Sequence, residues 1–496
     1  MNRKISAVLA VIGILLAGHF LAYKMFAIPS QIELVGLLGL ALFLPVLRFP
    51  IVGIYAVFLV SPFVPYIRRL YYLVADRPEL DPLIVTSELI LGIILISLYF
   101  EFKEQRDRLK NVRLYTGIII FYFIFVTLRV FVFNFIPRAE SIARYKFYGP
   151  PVLIFFIGIL FAGQLKHLKA IWGITIAGGT LAALYGFKQL YLGYSASERI
   201  WFTSIRFTTL FIEGIVRPFS FLKAPVAFAD YIQLALIAIL MWWQWGAKTS
   251  KIFIIAATPL LINAILITSV RSSWIGVMAT AAFWFFFVNI RGARKRIAVL
   301  VTVCLAYVAL DWLSGMLGSG GLDIGSTMSM MGGQFQKQEY MELLVANRTS
   351  AISNPFEEYS FMSRITLWRE ILMLSSDPIM ALMGRGTGAF KADSLYFTYL
   401  AEFGYPGLFL MIFILVLFIL KGLEMIDHAP GREYAVLAKG ITVMNLVFAL
   451  VSITGTHIHN FPGDYYFWFW NGVLIGIAAF VGKPGEYQQA LVQQPS

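Results

Sequence analysis

The chain is 496 residues long, with 59% hydrophobic and only 14% charged residues, and its mean hydropathy is +0.77. That balance excludes an ordinary soluble globular protein and points to an all-α polytopic membrane protein. A net charge of +13 and a pI near 9.6 fit anionic lipid better than nucleic acid, and Cys304, alone in the sequence, excludes an intrachain disulfide or a cysteine-based metal site.

Crossing the roughly 30 Å hydrocarbon layer takes about 20 apolar residues, and the sequence predicts about 14 such helices. They fall near 5–26, 31–47, 50–67, 83–100, 114–135, 148–165, 168–192, 225–245, 251–270, 272–290, 297–314, 404–421, 435–456 and 464–481. The first follows Arg3 and Lys4 and reads as a retained signal anchor, because further apolar segments follow. With the N-terminus inside, the short even loops carry Arg48, the run from Lys103 to Arg113, Lys166 and Lys169, Lys248 and Lys251, and Arg291 to Arg296. This is the positive-inside pattern. The longer loops then face outwards and divide the chain into N-terminal helices (1–192), central helices with arginine-bearing outer loops (193–314), a large outer loop (315–403) and C-terminal helices with a tail (404–496).

The outer side is nonetheless rich in arginine, including Arg68, Arg69, Arg199, Arg206, Arg217, Arg271, Arg364 and Arg385. The planar guanidinium binds phosphate or carboxylate through paired donors. Taken singly, each arginine also fits headgroup anchoring or an ion pair with Glu79, Glu140, Glu198 or Glu357. Arg271, in Ser269-Val270-Arg271-Ser272-Ser273-Trp274, is wedged between two apolar stretches, where an unpaired charge is costly.

In the large loop, 315–335 is rich in Gly, Ser and Met and reads as a lid or flexible segment. Ser363 then reads as the N-cap of a short amphipathic helix with Arg364 and Trp368 one turn apart, laid along the membrane surface and ended by Asp377-Pro378. Gly384-Arg385-Gly386-Thr387-Gly388 is a turn whose amides could cradle an anion. Asp393 reads either as the cap of a helix over 394–403 or as a proton acceptor, and Glu402 as an ion-pair partner or a second carboxylate base. His457 and His459 flank Ile458 outside a span. Beside Asn460 and Asp464, they read as interface residues, as substrate contacts or an alternative base, or as two histidines that with a carboxylate could ligate zinc, though no third strong ligand is evident. Tyr465 to Trp470 reads as part of the interfacial aromatic belt.

The order of Arg217-Pro218-Phe219-Ser220-Phe221, Arg271-Ser272-Ser273-Trp274, Arg364 and Trp368 with Asp377-Pro378, Gly384 to Gly388, and Leu400-Ala401-Glu402-Phe403-Gly404-Tyr405-Pro406-Gly407 resembles the O-antigen ligase and Wzy-type polysaccharide polymerase superfamily. The resemblance covers roughly residues 200–420. It implies a GT-C-like, metal-independent glycosyltransferase without cofactor, in a bacterial inner membrane with its active site facing the periplasm. Such an enzyme takes a saccharide from a polyprenyl-pyrophosphate carrier and transfers it to an acceptor hydroxyl. Family ligases carry a His-Asn pair where this chain has Asp393-Ser394, a variant similar to that of exopolysaccharide polymerases. The implied partners are a polyprenyl-pyrophosphate-linked oligosaccharide, the growing polysaccharide acceptor and membrane lipids, with a chain-length regulator as a further candidate and no nucleic acid.

Charge gathering on the leaving pyrophosphate calls for fixed cations, and a sugar hydroxyl gains from a nearby base. The expected catalytic set is therefore Arg217 and Arg271 on the pyrophosphate and Asp393 at the acceptor. Arg364, Arg385, Arg206, Arg199, Arg68, Arg69, Glu402, His457 and His459 are the expected substrate contacts. The alternatives are an O-antigen ligase with a lipid or protein acceptor and a lipid-linked oligosaccharide flippase. Absence of a Walker A motif speaks against an ATP-driven pump, and a scaffold leaves the outer arginines unexplained.

Overall fold

In the computed structural model, residues 31–74, 83, 86–104, 110, 112–133, 141, 144–204, 210–212, 215–246, 251–287, 359–388 and 392–481 are described. Arg206, Cys304, the segment 315–335 and the expected spans 5–26 and 297–314 lie outside them.

In chain order the helices are α1 (Gln31–Arg48), α2 (Pro50–Val60), α3 (Val64–Val74), α4 (Thr86–Glu104), α5 (Arg113–Phe131), α6 (Leu153–Phe161), α7 (Leu165–Leu192), α8 (Ala196–Ser204) and α9 (Pro225–Trp245). There follow α10 (Lys251–Ile267), α11 (Arg271–Phe287), α12 (Tyr359–Leu374), α13 (Pro378–Met383), α14 (Leu395–His428), α15 (Arg432–Val451) and α16 (Gly463–Val481). Phe211–Ile212 and Ile215–Val216 pair as a small antiparallel hairpin between α8 and α9. Each expected span within the described residues overlaps one or more of these helices, that at 50–67 running over α2 and α3. Among the described residues, six helical stretches are long and apolar enough to cross a membrane: Pro50–Leu73, Arg113–Phe131, Leu165–Leu192, Pro225–Trp245, Leu395–His428 and Arg432–Val451. That is fewer than the sequence predicts, since α10 and α11 have 17 residues each and other segments are likewise short apolar helices.

Burial sorts the layers. The apolar windows of α9 and α15 are 78% buried and that of α5 only 28%, so the first two are central and α5 is peripheral, with Leu114, Phe121 and Ile124 outward. The most enclosed helix is α16, whose residues from Tyr465 to Ile475 are all buried. This corrects the expected aromatic belt: Tyr465 to Trp470 form the centre of the bundle. Six consecutive aromatic residues point in every direction around a helix, so they can all be buried only if helices surround it. Trp470 stacks on Trp172 of α7 with centroids 4.3 Å apart, and Tyr466 meets Phe58 of α2 edge to face.

Where α16 crosses α6, a side chain on Gly472 would collide with the carbonyl of Phe155, and one on Gly158 with the carbonyl of Phe469. The pattern Gly472-Val473-Leu474-Ile475-Gly476 thus lets two backbones touch, as small residues do where lipid offers no drive for apolar association. In α14 the helix is interrupted at Gly404, with φ 70° and ψ −173°. A Cβ there would lie 2.6 Å from the Ala381 carbonyl of α13, so only glycine satisfies both the turn and the contact. The break matches the predicted boundary between a short helix and a span.

Candidate functional site

The polar groups gather at one end of the bundle, where α9, α14 and α16 begin and α3 and α15 end. The Leu395 amide, at the start of α14, donates to the carbonyls of Ser452 (2.9 Å) and Gly455 (3.0 Å) in the turn after α15. That turn leads directly into His457.

The loop carrying Arg217 and Pro218 is held from two sides. Gln189 of α7 accepts the amides of Phe219 (2.9 Å) and Ser220 (2.7 Å) at Oε1 and donates through Nε2 to the Ser220 carbonyl and the Glu198 carboxylate. Arg69 donates to the carbonyls of Ser220 (2.9 Å) and Leu222 (3.1 Å), and to Pro65 within its own helix. Its guanidinium also lies 4.9 Å from the Phe219 ring centroid. Arg69 is completely buried, which corrects its expected place among the substrate contacts: it satisfies loop carbonyls that would otherwise be buried without donors. Ser220 has φ 56°, and so does Ser269, two residues before Arg271. Left-handed non-glycine residues are uncommon and are retained where surrounding contacts over-determine them. The two loops singled out by the sequence therefore each carry one.

Beyond this loop lies a pair of lysines. Lys146 Nζ is 4.7 Å and Lys223 Nζ 5.1 Å from the centroid of the same ring, Phe147. Burial lowers the Lys146 pKa to about 8, against the opposing pull of Glu88 and with Lys223 and Arg68 lowering it further. Burial likewise lowers Lys223, which Asp464 and Asp230 oppose. The Lys223 charge repels that of Lys146, and an anion bound near both would relieve it.

Asp230, in the first turns of α9, lies 2.6 Å through Oδ1 from His457 Nδ1 and accepts from Asn460 Nδ2 at Oδ2 (3.1 Å). His457 is buried, and its Nε2 has no hydrogen-bond partner among the described residues. His459 is engaged at both nitrogens, with Nδ1 3.0 Å from the Phe147 carbonyl and Nε2 2.8 Å from Tyr399 Oη. Both histidines are thus interior, not interface residues as expected. Among the described residues no group of three or more His, Cys, Asp or Glu is placed to hold a metal ion.

Arg364 Nε and Asp393 Oδ2, 29 positions apart in sequence, form an ion pair at 3.4 Å. Ser394, not Asp393, occupies the N-cap of α14, so the cap expected of Asp393 is corrected. Ser363 lies inside α12 instead of capping it. Trp368 stacks on Phe397 at 4.8 Å, so α12 packs on α14, while Leu372 and Met373 face outwards. Asp377 caps α13, accepting from the Ile379 amide (2.8 Å).

The glycine turn is largely self-satisfied. The amides of Gly384, Arg385 and Gly386 donate to the carbonyls of Met380, Ala401 and Glu402, and that of Gly388 to Glu402 Oε1 (2.9 Å). This corrects the expectation of an anion cradle. Glu402 is buried and also accepts from Tyr148 Oη (2.8 Å), so it braces the turn. Arg129, at the end of α5, donates to the carbonyls of Met383 and Glu402, a second buried arginine serving backbone.

The remaining expected contacts stay at the surface of this end. Arg68 faces the Trp201 ring at 5.0 Å, Arg199 donates to the Tyr194 carbonyl (3.1 Å), Arg271 opens α11 part-buried, and the Arg385 side chain is exposed. Sequence reasoning missed Glu88, Lys146, Lys223, Asp230, Gln189 and Arg129. Asp230 and Lys223 did leave a signal: a charge inside or at the edge of an apolar span. A groove lined by Tyr115, Phe413 and Lys421 lies at the other end of α14, away from these groups.

The fold and the site together define a helical protein with several helices able to cross a membrane and a cluster of buried ionisable groups at one end. No protein-family model matches the chain, and no curated protein matches it.

Proposed function

We propose that the protein is a membrane glycosyltransferase that polymerises polyprenyl-pyrophosphate-linked oligosaccharide repeats of an exopolysaccharide or O-antigen at the periplasmic face. The observation that carries this reading is the lysine pair about Phe147, at the bundle end that the positive-inside pattern assigns to the outer side. Fixed cations beside buried hydrogen-bonding groups are what departure of a pyrophosphate requires. Arg217 and Arg271 on their strained loops would add donors to the same anion, and the Arg364–Asp393 pair would meet the acceptor. The order of the sequence motifs supports the same chemistry.

A flippase reading has its own support, because a helix broken at Gly404 and buried charge are features on which transporters rely. Purified protein in nanodiscs, given polyprenyl-pyrophosphate-linked oligosaccharide without nucleotide, distinguishes them. A product ladder spaced by one repeat is expected. Transfer only to a separately added acceptor would make it a ligase. Absence of transfer, with lipid moving across vesicles, would make it a flippase.

A further inference from the structure

We infer that His457 is the proton acceptor of the transfer, with Asp230 and Asn460 as its positioning residues, in place of Asp393. The inference rests on the glycosyl-transfer reading above. A carboxylate only accepts hydrogen bonds, so the 2.6 Å contact between Asp230 Oδ1 and His457 Nδ1 puts a proton on Nδ1 and makes Nε2 the atom at which the ring would accept one. Asn460 holds the second carboxylate oxygen at 3.1 Å, which fixes the plane in which the imidazole is held. Nε2 is buried and meets no partner among the described residues. Leaving a polar atom in that state costs stability, and it persists where the atom has work to do.

The ring can take this position because residue 455 is glycine: a Cβ there would approach Nε2 to 2.5 Å. The same turn receives the Leu395 amide at the carbonyls of Ser452 and Gly455, so Asp393, two residues before that contact, and the imidazole, two residues after it, flank one backbone junction. The competing bases are less suited. The Asp393 side chain is 59% exposed and already engaged by Arg364. His459 has both nitrogens committed, and Glu402 is bound to Tyr148 and Gly388.

In the step, the acceptor hydroxyl oxygen forms a bond to the anomeric carbon of the donor saccharide. The anomeric carbon–oxygen bond to the carrier breaks, and its electron pair leaves with the polyprenyl pyrophosphate. The hydroxyl proton passes to His457 Nε2. Asp230 stabilises the imidazolium so formed, which returns its proton to water once product has left.

The test uses the full chain in nanodiscs with polyprenyl-pyrophosphate-linked oligosaccharide, comparing wild type with His457→Gln, Asp230→Asn, Asp393→Asn and His457→Gly. A positioned base contributes on the order of 10²–10⁴-fold. His457→Gln is expected to lower kcat by about that factor with donor affinity within about twofold, and Asp230→Asn to lower kcat more than it raises KM. Added imidazole should restore part of the His457→Gly rate, an effect that a packing role would not produce. Donor-binding His457→Gln protein that turns over within about threefold of wild type overturns the assignment. So does a larger loss in Asp393→Asn with no imidazole response in His457→Gly. Wild-type protein that transfers nothing removes the functional reading itself, whereas active wild type with active His457→Gln removes only the base.

Discussion

His459 donates from Nδ1 to the Phe147 carbonyl and accepts at Nε2 from Tyr399, which in turn accepts from Tyr122 Oη at 2.6 Å. Burial lowers its pKa from 6.5 to about 4, opposed by the bond to Phe147. Between those values the unfolded chain binds a proton that the folded chain refuses, so stability falls on acidification from pH 6.5 to about 4 and levels off below. Unfolding midpoints measured against pH for wild type and His459→Gln should diverge in slope over that window. Parallel profiles would mean that the ring is not held neutral. The sequence presents His457 and His459 as a pair, and nothing in His457-Ile458-His459 tells one from the other. What separates them is Asp230, 227 positions away, against a backbone carbonyl 312 positions away. Arginine behaves similarly. Its cost inside an apolar segment is legible, but whether it meets a ligand or, like Arg69, a row of loop carbonyls depends on which loop folds over it.

Among the elements, the crossing of α6 and α16 is the tightest joint. Both partners place glycine where backbone meets backbone, and a methyl group there has no flexible side chain to displace. Gly472→Ala is expected to destabilise by about 1–3 kcal/mol, as overpacking does, and Gly472→Leu to prevent recovery of folded protein. Gly117→Ala, in α5 with nothing within 4 Å of the added carbon, should instead be neutral or stabilising by about 0.5–1 kcal/mol through helix propensity. Thermal unfolding in detergent decides between them, and equal effects at both positions would refute the packing account. The positions of the helices were readable from hydropathy, and so was the boundary at Gly404. The aromatic run of α16 was misread because an interfacial belt and a bundle centre have the same composition. They differ only in what surrounds the helix.

Over the whole molecule, buried charge gathers at one end, where Glu88, Asp230 and Asp464 oppose Lys146, Lys223 and Arg68. Lys146 has its pKa lowered from 10.5 to about 8. In that interval the unfolded chain holds the extra proton, so folding stability rises as pH goes from about 8 towards 10.5. Binding of an anionic donor should move the other way, since Lys146 loses its charge over the same range. Measuring unfolding midpoint and affinity for the polyprenyl-pyrophosphate-linked oligosaccharide between those limits gives two curves of opposite slope. Affinity that holds level through the window would remove Lys146 from the anion site, and Lys146→Met should flatten the stability curve.

By itself the sequence determined the class, the positions of most helices, the break at Gly404 and the end of the bundle where polar groups collect. All of these follow from local runs of apolar residues and from short-range punctuation by glycine, proline and charge. Only the tertiary structure decided which polar groups are used up internally and which keep an atom to offer. It closed the glycine turn on Glu402, turned Arg69 and Arg129 onto backbone, and moved Tyr465 to Trp470 inside. It also joined Asp230 to His457. The physical reason is that a hydrogen bond reaches about 3 Å, and the residues that fall within that distance come from helices far apart in the chain, brought together by packing that no local pattern encodes.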